Sequence, residues 1–176
     1  MFINFKNVLE IGCGDGFASK IVADKVKKLT ISDVDPLFIN NAKEINNKQK
    51  NITFEIINYT LNYIDKKFDG IYAIDVLEHI SKKNESKFLN HILKSLSKNG
   101  TLILGMPSLE SQKYASPLSK IGHVNCKTAE DLKLTLLKYF HNVFIFSMND
   151  EVLHTGFYPM SHYLFALSTN PKINKQ

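Results

Sequence analysis

No arginine occurs in the 176 residues, so all of the chain's basic charge is lysine. Base-edge readout and bidentate phosphate clamps depend on guanidinium groups. The formal charge of +5 therefore reads as a solvated surface, with the lysines scattered in pairs such as Lys27-Lys28, Lys66-Lys67 and Lys82-Lys83. A nucleic-acid partner is not expected. Cysteine is limited to Cys13 and Cys126, too few for a disulfide framework, which predicts a reducing, cytoplasmic setting. No apolar run approaches the ~20 residues needed to span a bilayer, and no charged-apolar-small leader is visible. The expectation is a protein with no membrane partner that is not exported. There is no internal repeat. An apolar content of 44% over this length supports one domain, 1–169, followed by a polar tail at 170–176.

What the chain does have is concentrated near its start. Val8-Leu9-Glu10-Ile11 is an apolar run that enters three alternate glycines, Gly12, Gly14 and Gly16, and a helical pattern follows from Phe17 to Lys28. Strand, tight turn and helix N-terminus place main-chain N–H groups where a ligand can lie against them. In the dinucleotide fingerprint the third glycine would fall at Phe17. Here it falls one residue early, which disfavours a nicotinamide-dependent oxidoreductase.

Leu29 to Ile31 reads as a second strand, ending at Ser32-Asp33-Val34-Asp35-Pro36. Strand, helix, strand at this spacing is a parallel βαβ unit, and an acid about twenty residues beyond the glycine turn can accept hydrogen bonds from both hydroxyls of a ribose. Helices are expected from Leu37 to Lys48, from Asn84 to Ser97 with Asn99-Gly100 as its C-cap, and from Thr128 to Phe140 with Thr128 as N-cap. Strands are expected at 52–57, 68–75, 101–106, 143–148 and 162–167. Residues 108–124 have no clear period and read as a long loop at the ligand-facing edge.

Four stretches together resemble the class I S-adenosylmethionine-dependent methyltransferases. They are Glu10-x-Gly12-x-Gly14-x-Gly16; Asp33-x-x-Pro36; Phe68-Asp69 with Asp75-Val76-Leu77-Glu78-His79; and Gly100-Thr-Leu-Ile-Leu running to Pro107. The resemblance covers about residues 7–168 and is nearest to the small-molecule type. It implies a doubly wound α/β, Rossmann-like sheet of seven strands in the order 3-2-1-4-5-7-6, with strand seven antiparallel, and S-adenosyl-L-methionine as cofactor. It also implies that Gly12, Gly14 and Gly16 line the methionine part of the cofactor, with Glu10 beside the turn. Asp33 would hold the ribose, Val34 would lie against the adenine, Asn58 and Tyr59 would flank the adenine edge, and Asp75 would lie near the methionine moiety.

Two departures from the family pattern stand out. An acid is usual at position 58, where Asn58 could meet the exocyclic amine only through its carbonyl oxygen. A helical cover ahead of the first strand is nearly absent, so the lid and acceptor pocket are expected from 108–124, from 155–161, or from a second copy or partner subunit.

The acceptor side needs alignment and, for a hydroxyl, a base. His123 is the candidate base or acceptor contact, with His154 and His162 as weaker ones; a structural loop role stands open for each. Glu78 with His79 is read as organising the turn, and no metal is expected although Asp75, Glu78 and His79 have an i, i+3, i+4 spacing. Tyr114, Tyr139, Phe157 and Tyr158 supply either an acceptor pocket or packing, and Cys13 reads as packing. The expected activity is methylation of a small molecule, at oxygen by preference. The alternative is a non-catalytic module that binds the cofactor or a partner. A flipped base is not expected, because the end of the fourth strand lacks an Asn/Asp-Pro-Pro-aromatic motif.

Overall fold

A computed structural model describes residues 2–150 and 152–172. The first five strands, β1 (Asn7–Ile11), β2 (Lys28–Asp33), β3 (Ile52–Ile56), β4 (Phe68–Ile74) and β5 (Leu96–Pro107), are parallel. Three more, β6 (Phe140–Asn149), β7 (Val152–His154) and β8 (Tyr163–Pro171), extend the same sheet by antiparallel pairing. The order is β3-β2-β1-β4-β5-β8-β6-β7. This is the expected doubly wound sheet, with β8 as its antiparallel seventh strand and a three-residue edge strand, β7, that sequence periodicity did not reveal.

The sheet lies between two apolar layers, and alternation along β1 assigns each residue to one of them. Leu9 and Ile11 face the larger core, which runs through Ile71, Ala73, Leu102, Leu104, Leu164 and Ala166. Two helices close it: α3 (Lys82–Ser95), through Phe88, Leu89 and Ile92, and α5 (Ala129–Leu137), through Leu132 and Leu136. Val8 faces the smaller core, with Phe2, Leu29, Ile31 and Tyr72. That core is covered by α1 (Ser19–Ala23), through Ala23, and α2 (Pro36–Ile45), through Ala42. The coverage stops at β4. Across β5, β8 and β6 the same face carries Ile103, Phe165, Leu167 and Phe146 around a shallow, wholly apolar groove, and Phe144 is exposed beside them.

Several boundaries differ from the sequence reading for identifiable reasons. The first helix is only five residues long, Ser19–Ala23 within the expected 17–28, and its Ile21 is exposed. The third helix ends at Ser95, before Asn99-Gly100, because Leu96 turns extended, is fully buried and pairs with Phe68. Gly100 serves close packing there: a Cβ would come within 2.6 Å of the Leu96 side chain. The stretch 108–124 is not an irregular loop, since it holds a 3₁₀ turn (Glu110–Tyr114) and α4 (Pro117–Gly122), which the Ser116 side chain caps by accepting from the Ser119 N–H. Thr128 caps α5 as expected, accepting from the Asp131 N–H at 3.0 Å. The last strand runs through Pro171, opposite Phe140, two residues into the stretch read as tail; residues 173–176 lie outside the described residues. Among the described residues no helix is long and apolar enough to cross a membrane.

Candidate functional site

The sheet order reverses between β1 and β4, and at that point the strand ends leave a crevice for a ligand. A cavity of about 720 Å³ occupies it, within the usual range of small-ligand sites of about 300–1,000 Å³. Gly12, Gly14, Asp33, Val34, Asn58, Tyr59 and Asp75 all line it. Of the residues carried over by resemblance, Glu10 and Gly16 do not.

The glycine turn is fixed by the strand beside it. Gly12 and Cys13 both donate to the Ser32 carbonyl, at 2.8 and 3.0 Å, and Gly16 donates back to Cys13 at 2.9 Å. Gly12 has φ +76°, and a Cβ there would sit 2.3 Å from a Val76 methyl. Gly14, at φ +53°, would meet nothing within 4 Å, so its backbone opens directly to the cavity. Gly16 faces away from the cavity's needs and serves packing, since a Cβ would strike Ala42 at 2.8 Å, which makes it the contact point of α2. Glu10 is buried and accepts a short hydrogen bond from Ser19. Burial pushes its carboxyl up from the usual range while the Ser19 bond pulls it back.

Asp33 closes the turn from the second strand. One oxygen accepts from the Gly14 N–H and the other from the Asp35 N–H, each at 3.0 Å. Asp35 in turn caps α2 through the Leu37 N–H at 2.8 Å. A carboxylate has about four lone-pair sites, so Asp33 retains two for a ligand. Val34 and Phe38 add exposed apolar surface to the same wall; Phe38 was missed because its position in α2 gave no polar signal.

Asn58 corrects the sequence reading. Its carbonyl oxygen is taken by the Thr60 N–H at 2.8 Å and the Thr60 hydroxyl at 2.7 Å. What Asn58 offers a ligand is therefore its NH₂, a donor, and not an acceptor for an exocyclic amine. Tyr59 is almost fully buried, its hydroxyl shared with Ser95 at 3.1 Å beneath α3. The Tyr59 backbone is held as well, the His91 Nδ1 lying 2.8 Å from its carbonyl oxygen.

Asp75 ends β4 in the left-handed region at φ +55°, a conformation uncommon for a non-glycine residue and concentrated at functional sites. The Tyr163 hydroxyl donates to its carboxylate at 2.8 Å across 88 residues of sequence. Tyr163 had no sequence signal, since β8 reaches Asp75 only through the antiparallel return. Burial, and then Asp75, raise the Tyr163 phenol above its ordinary range.

Beyond Asp75, the 3₁₀ turn Leu77–His79 presents Glu78 and His79. Burial and then the Asp75 charge hold the Glu78 carboxyl up at about 8. Cys126 lies close by, its thiol pushed up to about 11 by burial and by Glu78. His79 lines the cavity. His123, at the end of α4, meets it edge-on with ring centroids 5.2 Å apart. Burial, then His79, lower the His123 pKa while Asp75 opposes them. The segment after His123 is tied down by Asn125, whose N–H donates to the Glu78 carbonyl at 3.0 Å and whose amide bonds Glu85 at 2.8 Å. Lys127 pairs with the same Glu85 oxygen at 2.7 Å.

The structure thus brings His123 against His79, which lines the cavity, although His123 does not itself line it, and leaves the other two candidates elsewhere. His154 is on edge strand β7 and accepts from the Gly156 N–H at 3.0 Å. His162 is exposed beside a separate small cavity with Glu110, Tyr114 and Met160. Tyr114, Tyr139, Phe157 and Tyr158 are also absent from the main cavity.

With this geometry in place, residues 9–104, more than half of the chain, match the family described as "Methyltransferase domain". An uncharacterized methyltransferase of Staphylococcus carnosus is 25% identical over 86% of this chain and 62% of its own length. The mitochondrial ubiquinone biosynthesis O-methyltransferase of Schizosaccharomyces pombe is 29% identical over 56% of this chain and 37% of its own length. The chain thus spans less than two thirds of these curated relatives. Among solved structures, the N-methyltransferase NodS of Bradyrhizobium japonicum with S-adenosyl-L-homocysteine superimposes with a TM-score of 0.73 and 23% identity, over 96% of this chain and 80% of that one.

Proposed function

The chain belongs to the methyltransferase domain family, and from that premise we propose that it is an S-adenosylmethionine-dependent methyltransferase acting on a small-molecule acceptor. The observation that carries this reading is the convergence of Gly12, Gly14, Asp33, Asn58 and Asp75 on one cavity at the reversal of strand order. The residues fit the cofactor: the space beside Gly14 is unobstructed, Asp33 keeps lone pairs for ribose hydroxyls, and Val34 with Phe38 offers apolar surface to an adenine. Asn58 would donate to a ring nitrogen, and Asp75 would lie near the methionine moiety. When bound, the sulfonium supplies an already activated methyl group. The protein's part is then to align the acceptor, exclude water and manage a proton, alignment alone contributing up to roughly 7–11 kcal/mol.

Oxygen is our choice for the methylated atom. Two imidazoles and a buried carboxyl stand together on the side of the cavity away from Gly14, where a hydroxyl proton has to be taken up or displaced. The stretch 108–124 is proposed as the cover on this side, with Leu118 and Ile121 exposed on α4 to meet an apolar acceptor. Labelled methyl transfer to phenolic, aliphatic-hydroxyl and amine acceptors tests the reading. His123→Ala is expected to lower turnover by roughly 10²–10⁴-fold while cofactor affinity holds. Equal losses in both would remove His123 from the acceptor side.

A second reading, a non-catalytic module, is supported by the bare apolar face of β5, β8 and β6. It is separated from the first by whether any acceptor turns over.

A further inference from the structure

We propose that Glu78, His79 and His123 form a binding site for a divalent transition-metal ion at the acceptor end of the cavity. One ligand atom of each lies within 4.8 Å of the other two, although the residues come from segments 44 positions apart. Zinc-type bonds of about 2.0–2.2 Å put opposed donors at most ~4.4 Å apart. Small side-chain rotations therefore close the set.

Clustering alone would not make a site, but Glu78 adds an independent reason. Its side chain is fully buried, and neither carboxyl oxygen has a hydrogen-bond partner. Two buried oxygens are thereby left without a donor, and buried polar atoms are ordinarily satisfied. The cation would supply what the surrounding protein does not.

The histidines are oriented as ligands. The Nδ1 of His79 is 3.0 Å from the Gly122 carbonyl oxygen, and that of His123 is 2.8 Å from Gln112 Oε1. Gln112 is itself held, its amide nitrogen donating to the Ser108 carbonyl at 3.2 Å. Both partners are acceptors, so each Nδ1 carries the proton and each Nε2 keeps its lone pair. Outer-shell oxygens orient metal-binding imidazoles in this way. The Asn125 bond to the Glu78 carbonyl fixes the two segments against each other.

Two nitrogens and one carboxylate oxygen favour zinc, cobalt or manganese over magnesium and calcium, which prefer oxygen-rich sets. Three protein ligands leave coordination positions open, and His79 and Asp75 line the cavity beside them. On the methyltransferase reading, an acceptor hydroxyl binds there and releases its proton to water. An oxygen lone pair forms the new O–CH₃ bond as the S–CH₃ bond breaks, and the electrons of the broken bond stay on sulfur, leaving a neutral thioether.

The test uses tag-free protein stripped with a chelator and titrated with Zn²⁺ or Co²⁺ alone. The expected result is one ion per chain by calorimetry, with visible ligand-field bands for cobalt. His123→Ala should weaken binding at least about tenfold, and Gln112→Ala, which keeps all three ligands, by roughly 10–100-fold. Affinities should rise from Mg²⁺ through Mn²⁺ to Co²⁺. S-adenosylhomocysteine affinity, measured on the same His123→Ala preparation, is expected to hold, so that loss of the metal site and failure of the methyltransferase reading are told apart. Absence of a bound ion, or an affinity unchanged in both His123→Ala and Glu78→Gln, overturns the proposal.

Discussion

The two sides of the crevice are built by different means. On the β1–β2 side the hydrogen bonds run mainly between the glycine turn and the strand next to it, Gly12 and Cys13 on Ser32 and Gly14 on Asp33, with Asp35 capping α2 and Asn46 at its far end holding Gly16. On the β4 side the contacts are long-range, with Tyr163 reaching Asp75, Gly122 reaching His79, and Asn125 reaching Glu78. The first side is made mainly of backbone and suits a ligand that does not vary. The second is assembled from side chains on separate segments, which can be exchanged for a new acceptor without disturbing the turn.

That contrast can be broken most forcefully at the clasp on the acceptor side. Lys127 and Glu85 are 10% and 18% exposed, and removing one partner of a buried pair costs about 3–5 kcal/mol. Lys127→Met should therefore lower the melting temperature by roughly 6–20 °C, at about 2–4 °C per kcal/mol, while the molecules still folded bind S-adenosylhomocysteine normally. Differential scanning calorimetry with a parallel titration checks both halves of this statement.

Gly12→Ala attacks the other side. It combines a clash with Val76 with a left-handed alanine, about 1–3 kcal/mol for the first and ~1–2 for the second. Cofactor affinity should fall by more than for any substitution on the acceptor side, and an unaffected titration would contradict the placement of the turn. Asp33→Ala should cost about 1–3 kcal/mol of cofactor binding, with loss of the Gly14 and Asp35 bonds showing as a modest drop in stability.

The smallest effect belongs to Glu10. Its folded pKa is raised, chiefly by burial, so the unfolded chain sheds this proton in the ordinary carboxylate range while the folded protein keeps it. Above that range the folded state binds more protons, and stability declines as pH rises through the folded value. Glu10→Gln should flatten this slope, read from urea midpoints across pH.

The same contrast explains what was legible in the sequence. The Thr128 cap is set by neighbours within a few residues, and the glycine turn and Asp33 belong to one βαβ unit of fixed length, so spacing reveals them. The Asn58 amide could not be oriented, because Thr60 competes with the ligand for its oxygen. Tyr163 and Gln112 carried no motif at all, and each matters only through a residue that the fold brings to it. Glu78 and His79 were visible as a spacing, but the third member, His123, arrives from the end of α4. The end of α3 was misplaced because Gly100 looked like a cap while Leu96 was already committed to the core and to Phe68.

The most direct test is thermal unfolding with S-adenosylmethionine, with S-adenosylhomocysteine and with NADH, on the natural chain and on Asp33→Ala. At ~100 times the dissociation constant a bound ligand adds about 2.7 kcal/mol, or roughly 5–10 °C for a chain of this size. That shift is expected with the two sulfur nucleosides, none with NADH, and a smaller shift at the same ligand concentration in Asp33→Ala. A shift with NADH alone, or none with any of the three, would contradict cofactor binding at the glycine turn.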